Sequence, residues 1–200
     1  MYRNLIKPFF DILTALILML ILSPIILLLI IVLSIEHKGS PFFIQPRPGY
    51  KGEVFHLIKF KTMNNKTDGS GNLLDDKYRL TSIGKFVRKY SLDELPQFIN
   101  VIKGELSLVG PRPLLMKYLS LYNNYQKRRH EVRPGITGWA QVNGRNNVTW
   151  SQRFKHDIWY VDHQSFNLDI KIIFKTILWV IKGKDVSKDG YATMEEFKGN

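Results

Sequence analysis

The chain is 200 residues long, a length that suits one domain. It has no cysteine, which excludes a disulfide framework and any thiolate metal site and fits a reducing compartment. Lys and Arg number 29 against 17 Asp and Glu, a formal net charge of +12, so an anionic partner is expected: nucleic acid, anionic lipid or a phosphorylated small molecule.

From Ile12 to Ile35 the sequence ILTALILMLILSPIILLLIIVLSI carries only Thr14, Ser23 and Ser34 as polar side chains. Such a run marks a membrane anchor, and a straight helix over it reaches about 36 Å, enough to cross. Ser23-Pro24 sits at its middle. Pro24 leaves the carbonyl of Leu20 without its helical donor, and the Ser23 hydroxyl can answer part of the freed backbone. Arg3 and Lys7 precede the run, and Lys38, Arg47 and Lys51 follow it, so the orientation rule has no clear winner. Two readings stay open: a kinked spanning helix, or a helix that bends at Ser23-Pro24 and returns to its face of entry.

Two short apolar runs around a Pro/Gly turn predict a hairpin, Phe42–Gln45 against Val54–Phe60, and 64–76 is a loop of turn formers. A short basic helix is expected over Arg79–Tyr90, and a second from about Asp93 to Lys103, ended near Gly104. In a chain this basic, adjacent Asp93 and Glu94 need a reason. Ser91 with Glu94 three residues later reads as a capping box, and Asp93 can equally be the cap. Gly110-Pro-Arg-Pro113 is a rigid turn displaying Arg112; a helix is expected over Leu114–His130 and another over Gln152–Tyr160, with Asp157 a further acid. The segment 133–146 is Gly-rich with Arg133 and Arg145, and suits an anion on its backbone N–H groups without matching a Walker loop or dinucleotide fingerprint. Phe166 to Lys184 is amphipathic, either interfacial or packed on a core.

The five histidines form no close ligand pair, and the scattered aromatics offer no base-stacking platform, so nucleic acid is not the expected partner. An anchor, an acidic pair, and Lys59, Arg88, Arg112, Arg133 and Arg145 together suggest phosphoryl chemistry at a membrane. A carboxylate beside phosphates can hold Mg²⁺ or act as a nucleophile. A membrane-bound hydrolase of nucleotide sugars and a tethered binder of anions are the rival readings.

The motifs KFKTM, SLDELPQFINVIKGELSLVGPRP and RPGITGWAQVNGRN, in that order behind a hydrophobic N-terminus, resemble the bacterial sugar transferase family, the monotopic phosphoglycosyl transferases that act on polyprenyl phosphate. KFKTM has Lys61 where many members have Arg. The resemblance covers essentially the whole chain. It implies an α+β, mostly helical fold: a re-entrant membrane helix broken at Ser23-Pro24 (residues 1–36), then a cytoplasmic catalytic domain (37–200) with a small β-hairpin and amphipathic interfacial helices. It implies transfer of a sugar 1-phosphate from a UDP-sugar, such as an N-acetylated amino sugar like UDP-N,N′-diacetylbacillosamine, to undecaprenyl phosphate, with release of UMP. This is the first membrane step of glycoconjugate or protein N-glycan assembly, on the cytoplasmic face of the bacterial plasma membrane, ahead of downstream glycosyltransferases. By the same resemblance Asp93 is the nucleophile that forms a covalent phosphosugar intermediate, Asp93 and Glu94 face Mg²⁺, Lys59, Arg88, Arg112 and Arg145 bind phosphate, and Asp157 is a supporting acid.

Overall fold

The computed structural model describes residues 1–144, 148–182 and 196–199. After one turn of π-helix at Tyr2–Ile6, helix α1 runs from Lys7–His37. It closes on Lys38 in the left-handed region, with Lys38 and Gly39 N–H groups donating to Ile35 and Ser34 carbonyls. The expected break at Ser23-Pro24 is absent as an interruption: α1 continues through Pro24 as one element. The Ser23 hydroxyl donates to the Leu20 carbonyl at 2.8 Å, the acceptor that Pro24 cannot serve.

One stripe of α1 packs along the domain from end to end. Lys7, Asp11 and Ala15 are buried near its start, Leu29 and Leu33 near its close, and Leu18, Met19, Leu22, Ile26 and Ile30 pack partly buried between them. The other face exposes Phe9, Leu13, Leu16, Leu20, Leu28 and Ile35. By length and composition α1 is apolar enough to cross a membrane, and it is the one such helix among the described residues.

Strands β1 (Phe42–Pro48) and β2 (Val54–Phe60) form the expected antiparallel hairpin, with β1 three residues longer than expected and Phe43 opposite Lys59. Helices α2 (Asp76–Arg79) and α3 (Ser82–Lys89) follow the loop. Thr81 caps α3 by accepting from the Gly84 N–H at 2.8 Å. Gly84 lets α3 ride directly on the chain after the hairpin, since a Cβ there would lie 2.1 Å from the Thr62 carbonyl oxygen. A 3₁₀ turn at Leu92–Glu94 leads into α4 (Gln97–Ile102), which ends at Gly104 with φ +74°.

Strands β3 (Ser107–Val109) and β4 (Gly135–Thr137) form a short parallel pair. Gly110 and Gly135 touch backbone to backbone, where a Cβ on Gly135 would meet the Gly110 nitrogen at 2.1 Å. Between the two strands, the helix expected over Leu114–His130 is three pieces: a 3₁₀ stretch Met116–Leu121, α5 (Asn124–Lys127) and a 3₁₀ turn Arg128–Glu131. Tyr122 is extended and Asn123 begins a new helix through a capping box with Gln126, which interrupts the helical run. Helices α6 (Trp139–Gly144), α7 (Trp150–His163) and α8 (Phe166–Lys182) complete the described chain.

The main core joins Ala15 of α1, Phe55 and Leu57 of β2, Phe98 and Val101 of α4, Val109, Tyr160 and Ile172. A second cluster sets Leu29 and Leu33 against Phe60 and Val87. A third stacks Tyr118, Tyr122, Phe154 and Trp150 around Phe197. At the start of α1 a buried polar network replaces apolar packing. Lys7 pairs with Asp169 of α8 at 2.7 Å and with Asp11 at 3.3 Å, the Tyr160 hydroxyl donates to Asp169 at 2.7 Å, and the Ser107 hydroxyl donates to Asp11 at 2.6 Å. The face of α8 carrying Ile170, Phe174, Ile177 and Ile181 is exposed, while Ile172 is fully buried, so α8 is amphipathic with one face in the core.

Candidate active site

Asp93 and Glu94 are presented by the 3₁₀ turn, not by a capped helix start. Ser91 lies in the left-handed region (φ 54°, ψ 25°) and makes no capping hydrogen bond, and α4 begins after Pro96 without a side-chain cap. The turn satisfies its own backbone, with Glu94 N–H donating to the Ser91 carbonyl at 3.2 Å. Neither expected capping role is filled, so both carboxylates are free for other partners.

Those partners come from three elements. Lys59 on β2 reaches Glu94 Oε1 at 2.7 Å and Asp93 Oδ2 at 3.6 Å. Arg112, held by the Gly110–Pro113 turn, donates to the same Glu94 Oε1 at 2.7 Å. Arg88 of α3 donates its Nε to Thr62 Oγ1 at 2.9 Å and lies within electrostatic reach of Asp93. The side chains of Asp93 and Glu94 are only 14% and 16% exposed, so these interactions are weakly screened.

The environment divides the two acids. Burial pushes both up, but Arg112 and Lys59 more than reverse this for Glu94 and hold it at about 2. Burial leaves Asp93 above the ordinary carboxylate range, opposed by Lys59 and reinforced by the Glu94 charge. Glu94 is thus a fixed anion clamped by two cations. Asp93 makes no hydrogen bond among the described residues and has only the longer Lys59 contact, which leaves a basic carboxylate oxygen available for attack.

Asp157 stands behind the site. It is buried and accepts from Arg129 Nε and Nη2 at 3.1 and 2.8 Å, while Arg129 Nη2 also donates to the Arg112 carbonyl at 2.7 Å. It supports the turn that carries Arg112 and does not reach the dyad's ion pairs. Ser23 and Pro24 lie on α1, and Arg145 lies outside the described residues. Two supporting residues carry no signal in the sequence: Arg129, concealed in the basic run Lys127 to His130, and Asn100, an uncharged residue inside α4. Asn100 is fully buried and ties α4 to β2: its Oδ1 accepts from Ile58 N–H at 3.1 Å and its Nδ2 donates to the His56 carbonyl at 2.8 Å.

No group of three or more metal-ligating side chains occurs among the described residues. The dyad suits an ion that takes few protein ligands. Both ion pairs to Glu94 use Oε1, and its Oε2, like the oxygens of Asp93, makes no hydrogen bond among the described residues. Mg²⁺ typically uses one or two carboxylates plus substrate oxygens and water.

The bacterial sugar transferase family model matches residues 2–183. The uncharacterised sugar transferase EpsL of Bacillus subtilis (strain 168) is 50% identical over 98% of this chain and 97% of its own. The UDP-N-acetylgalactosamine-undecaprenyl-phosphate N-acetylgalactosaminephosphotransferase of Aeromonas hydrophila is 39% identical over 89% of this chain and 44% of its own. The undecaprenyl-phosphate glucose phosphotransferase of Komagataeibacter xylinus is 37% identical over 86% of this chain and 35% of its own. The chain belongs to the bacterial sugar transferase family. It is a membrane-associated enzyme, a phosphoglycosyl transferase, and it spans less than half the length of these two relatives whose names include undecaprenyl phosphate.

Proposed function

We propose that the protein transfers a sugar 1-phosphate from a UDP-sugar to undecaprenyl phosphate through a covalent intermediate on Asp93. The observation that carries this reading is the split dyad: an anionic Glu94 locked by Lys59 and Arg112 beside an Asp93 whose oxygens make no hydrogen bond among the described residues. The names of the Aeromonas hydrophila and Komagataeibacter xylinus relatives, both of which include undecaprenyl phosphate, support the acceptor.

An Asp93 oxygen attacks the sugar-bearing β-phosphorus. The new bond is O–P, the bond broken joins that phosphorus to the bridging oxygen, and UMP leaves with the electron pair. An oxygen of the lipid phosphate then attacks the same phosphorus and returns the Asp93 carboxylate. Lys59, Arg88 and Arg112 stabilise the negative charge that shifts onto phosphate oxygens in both steps. Arg145 is proposed to join them. Asp93 and Glu94 would hold Mg²⁺, which when bound would supply charge neutralisation for the leaving group.

The packing of α1 supports a topology: this helix, about 46 Å long, packs on one domain near both ends, an arrangement that favours both ends on the same side of a bilayer. We read it as re-entrant, with the domain on the cytoplasmic face and the exposed faces of α1 and α8 in lipid. The dyad then lies near the headgroup plane, where a lipid phosphate can reach it. The names of relatives mention N-acetylgalactosamine, glucose and galactose, so the sugar is best found by assay. A panel of UDP-sugars, with UDP-N,N′-diacetylbacillosamine included, should show UMP release beyond one equivalent per enzyme, with lipid-linked product, only when undecaprenyl phosphate is present. Free sugar phosphate formed equally fast without lipid would instead identify a hydrolase.

A further inference from the structure

Among the described residues, Arg47 is a cation without a counter-ion. It lies on β1 opposite Phe55, and residues directly opposite in an antiparallel pair share a face. That face carries Phe55 and Leu57, both buried, and then Lys59, which engages the dyad. Arg47 is therefore on the site-facing side of the hairpin, four positions from Lys59 along the row, or about 13 Å at the rise of a strand.

Its surroundings give it little. Nη2 donates to Gln45 Oε1 at 2.6 Å, while Nε is buried without a hydrogen-bond partner. No carboxylate of the described residues forms an ion pair with it, because the acids of the site are already engaged: Glu94 by Lys59 and Arg112, Asp157 by Arg129. Burial, with Arg112 close by, pulls its pKa down to about 10. A guanidinium that is partly desolvated and within electrostatic reach of a second arginine is unfavourable unless an anion joins them. Its backbone is also fixed. Gly49, two residues on, donates to the Glu53 carbonyl at 2.7 Å and accepts from His130 Nδ1 at 3.0 Å.

We propose that Arg47, together with Arg112, binds the diphosphate of the nucleotide sugar. This rests on the transferase reading and adds a donor-binding residue to it. The donor is favoured over the lipid phosphate by position. Arg47 is within electrostatic reach of Tyr118 and Tyr122, members of an aromatic cluster that includes no residue of α1 or α8, the two helices with exposed apolar faces.

The test compares the wild type with Arg47→Gln, Arg47→Lys and, as a control at an exposed lysine, Lys127→Gln. UDP should raise the Tm of the wild type and of Lys127→Gln, and this rise should be lost in Arg47→Gln. The KM for the UDP-sugar should rise about tenfold or more in Arg47→Gln and less in Arg47→Lys, with the KM for undecaprenyl phosphate unchanged. An Arg47→Gln protein of lower Tm that keeps both the UDP-induced rise and the wild-type donor KM would make Arg47 a structural residue and overturn the proposal. So would a rise confined to the KM for lipid. The UDP arm needs no turnover, so a wild type that releases no UMP would sink the transferase reading while leaving Arg47 judged by binding.

Discussion

Asp93 and Glu94 are adjacent and chemically alike, yet their neighbours assign them different work. Asp93→Asn should abolish turnover while raising Tm at neutral pH, because the folded site disfavours the ionised form that asparagine cannot adopt. Unchanged activity would remove the nucleophile. The acid limb of kcat/KM should lie above the range of an ordinary aspartate, since Asp93 must lose its proton to attack. Glu94→Gln should lower kcat by about 10²-fold or more and move that limb to lower pH, because it removes a like charge and frees Lys59 for Asp93. A limb that moves upward would contradict the coupling described. Glu94 itself, depressed to about 2, contributes stability that is complete above its ordinary value and lost as pH falls toward 2.

At the level of elements, the site is held by the seam between the hairpin and α4. Asn100 supplies hydrogen bonds to the free edge of β2 on either side of Leu57, two residues before Lys59. Asn100→Ala removes these partners from the part-buried Ile58 N–H and His56 carbonyl, at about 1 kcal/mol for each hydrogen bond lost. Chemical denaturation should show that loss, and a cost near zero would mean that another group takes over. The hairpin, the loop before α2, α7 and α8 were legible from apolar pattern and turn residues. The dyad and its cations were legible through the family motifs. Asn100 and Arg129 were not, because their importance comes from long-range contacts that leave no local period. The helix expected over Leu114–His130 is interrupted because Asn123 acts as a side-chain cap, and in the sequence it looks like any polar residue within a run.

For the whole molecule, the arrangement of α1 is decisive. Its apolar run was plain in the sequence, but the contact of both ends with one domain was not, since Lys7 and Asp169 are 162 residues apart. Single cysteines at Tyr2 and at Lys51 should both be labelled from the cytoplasmic side only; labelling from opposite sides would establish a spanning helix. Asp169→Asn weakens the answer to a buried Lys7, and should raise amide exchange in the first turns of α1 while sparing the turns around Leu29 and Leu33. Uniform exchange along α1 would deny Asp169 that local role.

The most direct test weighs the intact protein after incubation with the UDP-sugar it turns over, in the absence of undecaprenyl phosphate. The wild type should gain the mass of one sugar phosphate, located on Asp93 by peptide mapping, and Asp93→Asn should gain none. A wild type that turns over rapidly when lipid is present, yet never gains that mass with donor alone, would contradict the covalent account.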